Sequence, residues 1–170
     1  MNPPDITTAV HILLIGIGAT AVLDAWLLLL RRLGQPSAGF APLGRWIGHL
    51  ARGRLTHPAI AQAAPVRHEL ALGWLSHYAV GVAFAAALVA WQGMAWVRQP
   101  TPLPALAFGL ASVVAPLFVM QPAMGAGFAS RRTATPLKNC LRSTLNHMVF
   151  GVGLYLCARL LAGAPAAALA

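Results

Sequence analysis

The chain has 170 residues, of which 58% are hydrophobic and only 9% charged, whereas roughly one quarter of a soluble domain is charged. This is the composition of an integral membrane protein, and it sets aside soluble-domain readings. The balance of 12 Lys+Arg against 3 Asp+Glu would suggest nucleic acid in a soluble chain; here the placement of the charges reads as topology, and no nucleic-acid partner is expected.

Met1 to Asp5 carry no basic region, and the apolar run after them is too long for a signal peptide, so it reads as a retained first span. Residues 6–30 have the length of one tilted helix through ~30 Å of hydrocarbon, and Arg31-Arg32 stop it. Gly16, Gly18, Ala19, Thr20 and Ala21 are small enough to let another helix approach closely. Asp24 follows them, a carboxylate that is costly in a span unless it has a partner or a function.

Residues 34–72 are too polar to span and are broken by Pro36, Pro42, Pro58 and Pro65. Within them, over 41–53, Leu43, Trp46, Ile47 and Leu50 recur at helical spacing while Arg45, His49 and Arg52 take the other face. That pattern predicts an interfacial amphipathic helix on anionic headgroups, with Arg45, Arg52, Arg54 and Arg67 as the headgroup-binding cations. Glu69, two turns before His77, is placed to reach back toward it or to cap the next helix.

Further spans are expected at 72–91, 103–120 and 141–162, with Trp91 and Trp96 as an aromatic belt. Pro116 predicts a kink in the third, and Gln121-Pro122-Ala123-Met124-Gly125-Ala126-Gly127 reads as a flexible turn or a phosphate cradle. Cys140 and Cys157 fall on one predicted helix, roughly 25 Å apart at ~1.5 Å per residue, which excludes a disulfide between them.

Leu145, His147, Gly151 and Val152 repeat the spacing of Leu75, His77, Gly81 and Val82, so two helical hairpins are expected. Ten of the twelve basic residues lie in the first and third connections: Arg31, Arg32, Arg45, Arg52, Arg54, Arg67, Arg131, Arg132, Lys138 and Arg142. By the positive-inside rule these connections face the cytoplasm and both termini the periplasm. The hairpins then run parallel, unlike the inverted repeats of many transporters. The expected fold is all-α: an integral membrane four-helix bundle, one domain over 1–170, built from two parallel-repeat helical hairpins plus the amphipathic helix.

This topology brings Asp24, His77, Gln121 and His147 to one layer within roughly 10 Å of the cytoplasmic boundary. Thr20, Glu69, Tyr78 and Asn146 stand nearby as supporting donors and acceptors. Two imidazoles and a carboxylate suit a transition metal ion, a pair of histidines suits haem, and the same groups suit proton exchange. Interhelical hydrogen bonds that hold the bundle are the structural alternative. His11 is expected at the opposite interface, and Met120, Met124 and Met148 add soft sulfur or packing near the layer. No nucleophile elbow, P-loop, HExxH or CxxC is present.

With Gly44-Arg45-Trp46-Ile47-Gly48-His49, Gly73-Trp74-Leu75-Ser76-His77-Tyr78, the Gln121–Gly127 turn and His147-Met148-Val149-Phe150-Gly151-Val152-Gly153-Leu154-Tyr155 in this order, the chain resembles a family of small bacterial inner-membrane proteins catalogued as a domain of unknown function. The resemblance implies a bacterial inner-membrane protein of about four spans and carries no site residues. From the residues themselves, the expected function is binding or movement of a metal ion or haem at the polar layer, transport requiring a homo-oligomer. The alternatives are a membrane enzyme acting on a lipid headgroup and a non-catalytic scaffold or assembly protein.

Overall fold

Long segments that are apolar on every side have no face to offer water, and they fold here as helices with their side chains directed to one another and to lipid. The computed structural model describes residues 6–35 and 39–163, so the segment Met1 to Asp5, the break at Pro36 and the tail after Gly163 lie outside the described residues. In chain order the helices are α1 (Ile6–Arg32), α2 (Ala41–Leu50), α3 (Glu69–Gln92), α4 (Met94–Arg98), α5 (Pro102–Ala123) and α6 (Pro136–Ala162). Four of them, α1, α3, α5 and α6, are long and apolar enough to cross a membrane. The protein is an all-α, multi-pass membrane bundle.

The helices run past the predicted bounds for local reasons. Pro136 opens α6, where its fixed φ suits a first turn and its missing N–H costs nothing. Pro116 does not break α5. The backbone widens into a π turn over Ala115–Met120, with the Gln121 N–H bonded to the Pro116 carbonyl, which absorbs the steric conflict a proline brings to an α-helix.

α1 sits between α3 and α6, and α6 in turn packs on α5, while α3 and α5 touch only lightly. Glycine makes these interfaces. A Cβ on Gly16 would lie 2.5 Å from the Cα of Val82, and one on Gly109 would lie 2.7 Å from the Cα of Gly151. Gly81 and Gly151, the glycines of the sequence repeat, thus do the same job, each meeting the span that precedes it. Ile15, Ala19, Leu88, Phe150 and Leu154 fill the core, whereas Leu13, Leu28, Val80, Leu110, Phe118 and Leu160 are exposed on surfaces suited to lipid tails.

Two expectations change. Trp91 is exposed as a belt residue should be, but Trp96 is buried at the core end of α4 and donates its indole N–H to the Thr101 carbonyl at 3.1 Å. The polar face of α2 is also not its outer face. Gly44 presses against the Glu69 carbonyl and the Gly73 amide, and this docking onto α3 turns Arg45 and His49 into the protein.

Candidate functional site

Asp24 faces the first turns of α3. Its Oδ1 is 2.9 Å from His77 Nε2, and its Oδ2 accepts the Tyr78 hydroxyl at 2.8 Å. Consecutive residues reach one carboxylate because His77 and Tyr78 straddle the face that α3 turns to α1. The carboxylate and imidazole side chains are only 19% and 15% exposed. The Phe40 ring covers His77 with centroids 4.3 Å apart, and Trp74 stands edge-on to it at 6.1 Å. Asp24 therefore fixes the orientation of His77, and Nδ1 makes no hydrogen bond to the described residues.

The other members of the predicted layer are paired elsewhere. The Ser112 hydroxyl donates to the Gly109 carbonyl at 2.7 Å, so His147 Nδ1–H donates to the Ser112 oxygen, also at 2.7 Å. Gln121 accepts from Ser130 at 2.7 Å. Asn146 accepts from the Trp26 indole at 3.1 Å, and Thr20 donates to the Gly16 carbonyl at 2.8 Å. Of the four predicted ligands, only Asp24 and His77 are in direct contact. Among the described residues, no three His, Cys, Asp or Glu side chains come together in a way that would hold a metal ion. Ser112 is not legible in the sequence, because a serine in an apolar run carries no signal until its helix is set against another.

Glu69 does not reach His77. Both its oxygens are taken by Arg45, with Nε and Nη2 each 2.8 Å away, and the Val66 N–H adds a third bond at 3.2 Å. Arg45 Nη1 donates further to the carbonyls of Ile60, Ala61 and Ala63. Its guanidinium is thus engaged inside the protein and is not free for a lipid headgroup, contrary to expectation. Arg52, Arg54 and Arg67 are exposed, and Arg67 donates to His68 at 3.0 Å.

Arg45 anchors a folded cap made of the first connection. Its second feature is a buried pair of imidazoles. His49 Nε2 faces the Ala64 carbonyl at 3.0 Å and so carries a proton. Its Nδ1 then accepts from His57 Nε2, 2.6 Å away. That leaves His57 Nδ1 a buried lone pair without a partner among the described residues. Burial first, and then the positive charge of nearby Arg54, hold His57 below the ordinary histidine value. The same segment docks on the glycine-bearing turn after α5: the His57 and Ile60 N–H groups donate to the carbonyls of Ala123 and Met124 at 2.8 and 3.0 Å. Gly125, at φ +97°, lets Pro58 pass close against it. The turn is a docking platform for the cap.

A family model described as "Protein of unknown function (DUF2938)" matches residues 13–161. No curated protein and no solved structure matches the chain.

Proposed function

Since the chain belongs to that family of unknown function, we propose that it is a bacterial inner-membrane protein that exchanges protons at Asp24–His77–Tyr78, with its basic end in the cytoplasm and both termini in the periplasm. The observation that carries this reading is the sharing of one carboxylate by an imidazole and a phenol at 2.9 and 2.8 Å. Asp24 orients His77 and stabilises its imidazolium, Tyr78 satisfies the second oxygen, and a proton arriving at Nδ1 converts the imidazole–carboxylate hydrogen bond into an ion pair. Phe40 and Trp74 limit the water around the exchange.

A metal ion or haem held by Asp24, His77, Gln121 and His147 together receives less support, because only Asp24 and His77 of the four are in contact and no three His, Cys, Asp or Glu side chains gather among the described residues. A headgroup-processing enzyme has less support because Glu69 holds Arg45, which leaves Arg52, Arg54 and Arg67 for anionic recognition. The second reading is a non-catalytic scaffold, favoured by the pairs Trp26–Asn146, Ser112–His147 and Ser130–Gln121, which set helix register.

Nitrogen-15 NMR of labelled histidines in detergent tests the proposal. The ring N–H groups of His77 should exchange hydrogen with solvent, at a rate that Asp24→Asn changes more than Tyr78→Phe does. A His77 ring that does not exchange with solvent, or whose exchange Asp24→Asn leaves unmoved while the variant merely unfolds more readily, would transfer support to the scaffold.

A further inference from the structure

Ten basic residues gather at one end of the bundle, and the two that remain, Arg98 and Arg159, lie at the other. Arg98 ends α4 and Arg159 lies in the last turn of α6, yet both line a single depression of about 420 Å³ together with Gln99 and Thr101. The ledge is firmly built. Trp96 and Val97 are buried immediately before Arg98, and Ala158 is buried immediately before Arg159. The Trp96 indole bond to Thr101 at 3.1 Å closes the turn that carries Gln99.

These cations are uncompensated among the described residues. The two described carboxylates both lie toward the other end, Asp24 held by His77 and Tyr78 and Glu69 by Arg45. Two guanidinium groups lining one concavity present planar donor forks that match phosphate oxygens. Gln99 and Thr101, which bring an amide and a hydroxyl, line the same depression.

We propose that the depression between α4 and the last turn of α6 binds a phosphate group through Arg98 and Arg159, carried either by a lipid headgroup or by a free anion. The site is independent of Asp24 and His77 and lies at the opposite end of the spans.

The test is the thermal unfolding midpoint of the full chain with two probes. One is inorganic phosphate, compared in detergent with chloride at equal ionic strength. The other is phosphatidylglycerol, compared with phosphatidylcholine in nanodiscs. Wild type and the basic-end control Arg52→Gln should be stabilised by at least one probe. Arg98→Gln and Arg159→Gln should need about tenfold more of it, and Arg98→Lys, which keeps the charge but not the fork, should fall between. Stabilisation by phosphate in detergent identifies a free anion, and stabilisation by phosphatidylglycerol alone identifies a headgroup. The proposal fails if neither probe stabilises wild type, if Arg98→Gln and Arg159→Gln respond as wild type does, or if Arg52→Gln loses the response equally.

Discussion

Gly16 of α1 and Gly81 of α3 meet backbone to backbone: a Cβ on Gly16 would lie 3.0 Å from the Gly81 carbonyl oxygen as well as 2.5 Å from the Val82 Cα. No flexible side chain stands there to give way. Gly16→Ala should therefore cost about 1–3 kcal/mol, the usual penalty of overpacking. Gly18→Ala, which meets mainly the Cys157 side chain, should cost less, and Gly163→Ala, with nothing nearer than 3.6 Å, should be close to neutral. Unfolding midpoints of the three variants in one detergent check the order; equal midpoints would mean that the close approach is not what limits packing.

Arg45 is the anchor of the cap, and its geometry is specific. Lysine keeps the charge but cannot donate to both Glu69 oxygens and to the carbonyls of Ile60, Ala61 and Ala63, because it lacks the planar fork. Arg45→Lys should increase the rate of limited proteolysis within residues 51–68 several-fold and leave the four spans helical by circular dichroism. Unchanged proteolysis would remove Arg45 from this role.

His57 makes the cap sensitive to pH. Its folded value lies below the ordinary 6.5, so the unfolded chain binds more protons across the interval between the two values. The stability it contributes is present above about pH 6.5 and is lost as pH falls toward its folded value. The buried lone pair at Nδ1, with Arg54 and His49 beside it, is where the proton enters. Hydrogen-exchange protection of the His57 and Ile60 amides should fall several-fold between about pH 7 and 5, relative to amides in the spans. His57→Asn should abolish that difference; a pH dependence that survives the substitution would place its origin elsewhere.

Ser112 and His147 form a pair whose loss is asymmetric. Ser112→Ala leaves His147 Nδ1–H without its acceptor in a semi-buried position, at a cost of about 1–3 kcal/mol. His147→Phe should be better tolerated, since Phe84, Phe108 and Phe150 already make an aromatic cluster around that position. In the double variant, Ser112→Ala should cost less than it does alone. Additive losses would show that the two side chains are not coupled.

The four spans, the concentration of basic charge in two connections and the repeat of His77 and Gly81 at His147 and Gly151 are all legible in the sequence, because length, apolarity and spacing are properties of contiguous residues. The choice of partners is not. Glu69 bonds Arg45 instead of His77, His147 bonds Ser112 instead of joining Asp24, and His49 turns inward to meet His57 instead of lying on headgroups. Spans that are apolar all round carry little record of which side faces which neighbour, so residues predicted at one depth still differ in azimuth. That azimuth is decided when Gly16 meets Gly81, Gly109 meets Gly151 and Gly44 meets Gly73, contacts between backbones that exist only once the helices have packed.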